Sequence, residues 1–382
     1  MELDNNLQAF FALVRAGLWA DLESTDIRNH GSTEPVNWDK IYQLAEDQSV
    51  IGVVLAGFER SGVKPPQYLL LQWIGEVQIL EQQNKSMNKF IAEMVEKLRE
   101  KDIIALLVKG QGIAQCYERP LWRQCGDIDF LMTPPDYERS KSIISLYADF
   151  EEPEVKYRLH KSYHLKEWEV ELHGNMRGWF LNKVDRVIDQ VQDEAFGDKQ
   201  YRKWDNNGTI VLLPSIDNDI IFVFAHILQH FFVEGIGLRQ ICDWCRLLWT
   251  YKSEIDDSLL ESRLRSAGMM SEWKAFAAFA VDYLGMPAEA MSLYSSENKW
   301  TKKANGILEF ILKTGSFGRN RNINETYKYP LIVRKIISFF RNTGDGLCYL
   351  KLYPVDAVRI WVEMLLNGVK SVIKMAGGRS VA

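Results

Sequence analysis

The hydrophobic positions change period twice along the chain. Over residues 1 to about 100 they recur at helical spacing. Phe10, Phe11, Leu13, Val14 and Leu18 form a one-sided stripe, and Ile41, Leu44 and Ala45 begin another after a polar loop with Asn29, Gly31 and Pro35. From Tyr68 to Asp102 no glycine or proline follows Gly75, which predicts one long helix. At Lys101 the rhythm shifts. IIALLV (103–108), IDFLM (128–132), YHLKEWEVELHG (163–174) and TIVLL (209–213) each read as a strand, with a short helix over IAQCYE and an amphipathic one over DYERSKSIISLYA between the first three. After Pro214 the helical period returns. Ser215 is a plausible N-cap for the run that follows, and two further helical stretches hinge near Gly268. The expected fold class is α+β: a small mixed-sheet core over 101–214, flanked by helical regions over 1–100 and 215–382.

Composition narrows the classes. A chain of 382 residues with 47% hydrophobic and 25% charged residues can bury a full core and exceeds one ordinary domain. Lys and Arg number 46 against 51 Asp and Glu, a formal net charge of -5. A polycation that grips nucleic acid by overall charge is thereby excluded, while a local basic groove stays open. Five cysteines without framework spacing fit a reducing compartment. The beginning MELDNNLQAFFALV carries acids where a signal peptide carries cations, and no run of eighteen apolar residues occurs. The expectation is a cytoplasmic protein without integral membrane association.

The chemistry concentrates between residues 106 and 173. Asp127 and Asp129 alternate on a predicted strand, so both carboxylates face one side while Ile128, Phe130 and Met132 face the other. Paired carboxylates repel unless a cation lies between them, and Mg²⁺ (or Mn²⁺) is the oxygen-seeking choice. Gly126 just before them lets a substrate come close. Upstream, Lys109-Gly110 stands at a strand-to-helix turn, a natural place for phosphate. Arg123, four residues before Asp127, is a candidate phosphate ligand in a loop. Downstream, Glu169, Glu171 and His173 share a strand face. A third carboxylate delivered from this separate strand completes the set needed to hold two metals and activate a hydroxyl. His173 either lines a nucleotide site or anchors the strand end.

These residues together resemble the nucleotidyltransferase superfamily that includes DNA polymerase β. They are closest to its branch usually labelled uncharacterised nucleotidyltransferase. The likeness rests on Lys109-Gly110 after a strand, on Tyr117, Pro120 and Arg123, on Gly126-Asp127-Ile128-Asp129 and on Glu171-Leu172-His173. It extends to the flanks WDKIYQLAEDQSVIGVV, LPSIDNDIIFVFAHILQHFF and GLRQICDW, roughly residues 38 to 285. The glycine-serine pair usual in the superfamily is Lys109-Gly110 here, and the gap to Asp127 is longer. Lys109 either contacts phosphate as a point charge or caps the sheet. The resemblance implies transfer of a nucleoside monophosphate from an NTP to an acceptor hydroxyl. By that resemblance Glu171, two residues before His173, is the third carboxylate and Glu169 a solvated strand charge; Asp127, Asp129 and Glu171 would be the catalytic and metal-binding residues, with Lys109, Gly110, Arg123, Gly126 and His173 at the nucleotide. The acceptor is unknown. Nucleic acid is possible but not indicated. The alternatives are a non-catalytic nucleotide sensor or scaffold, or a toxin-like transferase acting on tRNA or protein.

Two further patterns compete with this assignment. His226 and His230, followed by Cys242 and Cys245, have zinc-ligand order but lie in apolar helical runs, so cleft-lining or core histidines are the better expectation. Arg239 and Asp243 are candidates for substrate contact or for bracing. From Leu331 to Ala382 there are eight Lys or Arg against three acids, read as a solvated basic helix with a peripheral contact as the alternative.

Overall fold

The computed structural model describes residues 3–19, 36–178, 182–233 and 235–316, with four single positions beyond them. The basic stretch over 331–382 lies almost wholly outside the described residues.

Four helices come first. In α1 (Asn5–Leu18) the Asp4 side chain accepts from the Leu7 N–H, an N-cap that satisfies a helix-end donor. The next helical pattern divides into α2 (Trp38–Asp47) and α3 (Ile51–Ser61), separated where Ser49 takes φ 56°. Glycines let α1 and α3 touch backbone to backbone. A Cβ on Gly17 would lie 1.9 Å from the Val53 carbonyl oxygen, and one on Gly57 would lie 2.1 Å from that of Leu13. α4 (Gln67–Arg99) is the expected long helix, 33 residues or about 50 Å.

A seven-stranded mixed sheet follows. Its strands are β1 (Leu106–Val108), β2 (Asp127–Leu131), β3 (Phe150–Glu151), β4 (His160–Leu165), β5 (Trp168–His173), β6 (Arg202–Asn206) and β7 (Thr209–Leu213). They lie in the order β3-β4-β5-β2-β1-β7-β6. β2 runs parallel to β5 and antiparallel to β1, and β1 runs parallel to β7. The stretch 163–174, expected as one strand, is two arms of a hairpin that reverses at Lys166, whose φ is 55°. Apolar–polar alternation continues through both arms, and no glycine, proline or asparagine marks the turn, which is why the period alone did not reveal it. Pro134 and Pro135 open α6 (Pro134–Ile144) behind an N-capping Thr133. α5 (Gly110–Ala114) spans five residues.

Helices close the other side: α7 (Asn182–Gly197), absent from the sequence reading, then α8 (Ile216–Val233), α9 (Leu238–Thr250), α10 (Asp257–Ala267), α11 (Met270–Asp282) and α12 (Asn298–Thr314). Gly268, in the left-handed region at φ 75°, separates α10 from α11 where the hinge was expected.

The sheet divides two cores. Leu107, Ile128, Phe130, Val170 and Leu172 meet the second half of α4 through Met87, Ile91, Met94 and Leu98. Leu106, Val108 and Leu131, from the opposite face, join a larger core with the first half of α4 and the helices after the sheet. Phe130 is fully buried, and truncating it to alanine would cost about 3–5 kcal/mol, so the apolar residues that alternate with the aspartates hold the strand in register.

Candidate active site

Side chains two apart on a strand share a face, and parallel pairing carries that face to the neighbour. The β2–β5 register sets Asp127 beside Glu169 and Asp129 beside Glu171, so four carboxylates stand on one face of adjoining strands. Asp129 is buried. It accepts from Lys109 Nζ at 2.7 Å and pairs with His173 Nε2 at 2.8 Å. Glu171 Oε2 lies 3.3 Å from His173 Nε2 and 3.2 Å from His160 Nε2. Glu169, expected as a solvated charge, is half-buried on the same face.

The electrostatics follow from this crowding. Burial pushes the Asp127 carboxyl up, the charge of Asp129 adds to the rise, and Lys109 opposes it. Burial also raises Glu169, helped by Glu171 and Asp127. At Glu171 burial is outweighed by hydrogen bonds from His160 and His173, which hold the carboxyl well below its usual range. Burial disfavours charge on His173 and Lys109, yet the carboxylates around them win, and both bind their protons more tightly than usual. The acids around them thus favour the positive forms of Lys109 and His173.

Lys109 reaches this position from an unusual backbone. Its φ of 59° and ψ of -146° belong to a region that side chains rarely enter, and Gly110 follows at φ 41°. The helix after the turn is too short to carry much of a dipole, so the charge at the turn is that of Lys109 itself. Gly126 is exposed, with open space where a Cβ would stand.

Arg123 was expected in a loose loop. The structure instead fixes it: its guanidinium is buried against α9, Nε donating to Asp243 Oδ1 at 3.1 Å and Nη2 to Oδ2 at 2.6 Å. The Tyr117 hydroxyl donates to the same carboxylate at 2.8 Å, and Asn84 Nδ2 donates to the Arg123 carbonyl at 2.9 Å. Arg239 Nη1 donates to the Gln124 carbonyl at 3.0 Å, so Arg239 and Asp243 both brace the segment before β2. Of the three Arg123 guanidinium nitrogens, only Nη1 is buried without a hydrogen-bond partner among the described residues. The guanidinium borders a cavity of about 40 Å³ shared with Lys109, Asp127 and Asp129, with room for little more than a water or two.

The carboxylate face opens into a larger cleft of about 300 Å³. Lys109, Asp127, Glu171 and His173 line one wall. Val184 and Ile188 of α7 face Phe222, His226 and His230 of α8, and Arg158, His160 and Arg177 stand at the hairpin side. Both α8 histidines thus line the cleft. Cys242 and Cys245 are fully buried within α9, where burial raises their thiols, and among the described residues neither joins a metal-binding group with them. His160, Arg158 and the α7 wall were missed in the sequence. The H-x-S-x-H alternation of β4 was the available signal, since it sets His160 opposite His173 once the hairpin is known.

No helix among the described residues is long and apolar enough to cross a membrane. No curated protein and no solved structure gives a significant match. A family model described as uncharacterised nucleotidyltransferase does match, over residues 34–285, more than half of the chain and including every residue of the cleft described above. The chain belongs to the uncharacterised nucleotidyltransferase family.

Proposed function

We propose that the protein is a metal-dependent nucleotidyltransferase that moves a nucleoside monophosphate from an NTP to an acceptor hydroxyl, releasing pyrophosphate. The observation that carries this reading is the common face of Asp127, Asp129 and Glu171 across one parallel strand pair, from which Asp127 and Glu171 line the cleft. The donor set fits a divalent ion. Asp127, Asp129 and Glu171 share one sheet face beside Lys109 and His173, and oxygen ligands of this kind suit Mg²⁺ or Mn²⁺. Asp127, Asp129 and Glu171 would hold the metal, which when bound supplies Lewis-acid neutralisation of the triphosphate's charge.

The chain's own groups do the remainder. Lys109, at the rim between the carboxylates and the cleft, would exchange part of its attraction to Asp129 for a phosphate oxygen. Gly110 and Gly126 leave room for the phosphates along this edge. Glu171, beside His160 and His173 on the cleft wall, would help deprotonate the acceptor. Arg123 would contact phosphate only through Nη1, since its other nitrogens grip Asp243. Val184, Ile188 and Phe222 offer an apolar wall for the base. The sheet core between helical regions would be the transferase unit, with 1–100 and 215–382 shaping the cleft.

One observation favours the non-catalytic alternative: the Lys109–Asp129 pair already neutralises a metal-binding carboxylate. Incubation of a cell extract with labelled NTPs, Mg²⁺ and purified protein, followed by mass spectrometry, separates the two. A nucleotidylated product absent with Asp127→Asn supports transfer. Mg²⁺-dependent NTP binding without any product leaves a sensor or scaffold.

A further inference from the structure

The donors around Glu171 are not all oxygens. His160 and His173 face each other across the β4–β5 hairpin in direct register, their rings 4.8 Å apart. Glu171 Oε2 lies between them, 3.2 Å from one Nε2 and 3.3 Å from the other, and all three donor atoms fall within 4.8 Å of one another. Charge-assisted N–H···O bonds close to about 2.7–2.9 Å. Ligands about 2.0–2.1 Å from a shared tetrahedral ion stand about 3.3–3.4 Å apart along each edge. The two spacings at Glu171 match the second case, while His173 Nε2 to Asp129 Oδ1, at 2.8 Å, matches the first. The side chains are between 11% and 22% exposed, so the cluster opens to the cleft instead of lying sealed in the core.

We infer that His160, Glu171 and His173 form a site for a divalent transition ion of the Zn²⁺ or Co²⁺ kind, next to Asp127 and Asp129, with Glu171 common to this site and to the carboxylate set. Two imidazole nitrogens and one carboxylate oxygen suit such borderline ions, whereas Mg²⁺ prefers oxygen alone and keeps its waters. Three protein ligands leave a fourth position toward the cleft, the pattern of a reactive site more than a closed structural one. Asp129 adjoins it through His173 Nε2. The inference deepens the transferase reading, because it places a second kind of ion in the same cleft, and rests on that reading only for the ion's use.

The test is optical and needs no turnover. Full-length protein stripped with chelator is titrated with Co²⁺ alone, without nucleotide, and its visible d–d absorption followed. Wild type is expected to develop the bands and saturate at one equivalent. His160→Gln, at a partly exposed strand end, and His173→Gln should bind at least about tenfold more weakly, while Asp127→Asn keeps the bands. Absence of bands in wild type overturns the site without recourse to any variant. So does wild-type affinity in His160→Gln, which would make the histidines simple hydrogen-bond partners of Glu171, or equal loss in Asp127→Asn, which would make one carboxylate site of both sets. Bands without NTP transfer count against the transferase alone, and Mg²⁺-dependent transfer without bands counts against this site alone.

Discussion

Arg123 and Asp243 lie 120 residues apart in sequence and form a two-point ion pair, both side chains almost fully buried, that ties the segment before the aspartate strand to α9. Breaking a buried pair by removing one partner strands the other charge. Arg123→Ala or Asp243→Ala should each lower unfolding free energy by about 3–5 kcal/mol, and the double variant by less than the sum. Denaturant titration of the four proteins measures this. A loss below about 1 kcal/mol in Arg123→Ala would show the pair to be structurally idle.

Asp127 sits where burial and Asp129 disfavour its charge. Asp127→Asn removes charge at nearly constant volume. It should leave the melting temperature in chelator unchanged or raised, yet reduce transfer by more than about 10²-fold. A comparison of melting and product formation on one preparation checks both halves. A variant that unfolds, or one that keeps its turnover, contradicts the assignment.

Lys109 carries both strain and charge. Its backbone conformation is one that glycine adopts freely, and for other residues it costs on the order of 1–3 kcal/mol. Lys109→Gly should therefore melt above Lys109→Ala by a corresponding margin. With the ammonium gone from both, millimolar Mg²⁺ should stabilise either variant more than wild type, by mass action on carboxylates left without their resident cation. Equal Mg²⁺ shifts in all three proteins would mean that the ion and Lys109 do not compete.

Burial, with Lys109 and His230 nearby, holds His226 well below its usual range against the weaker opposing pull of Glu171. A histidine depressed in the fold contributes stability above about pH 6.5, and that stability is lost as pH falls toward the folded value, by up to about 1.4 kcal/mol per pH unit. In chelator, wild type should lose stability relative to His226→Gln between pH 6.5 and 5, and the two should run parallel above pH 7. Parallel curves throughout would mean that His226 titrates as if in water.

The sequence made the aspartate face legible because period two is rigid: Asp127 and Asp129 must share a side while Ile128 and Phe130 fill the other. It yielded Glu171 through motif resemblance, since no local rule says which later strand pairs with β2. His160 stayed hidden because the hairpin at Lys166 lacks turn residues, and without that turn β4 has no defined register. The partner of Arg123 was equally out of reach, as contacts across 120 residues depend on how helices dock onto a sheet. α7 reads locally as a polar amphipathic stretch, and only its place at the cleft gives Val184 and Ile188 a purpose.

The long helix α4 contributes Leu69, Trp73 and Val77 to one core and Met87, Ile91, Met94 and Leu98 to the other. A rod shared by two interiors denies either of them a private melting transition. Loss of either core exposes one end of α4, and a helix stripped of its tertiary contacts is only marginally stable in water. A chain of this length would ordinarily unfold in stages, but here the described residues should lose helix and sheet signals together, as one cooperative unit.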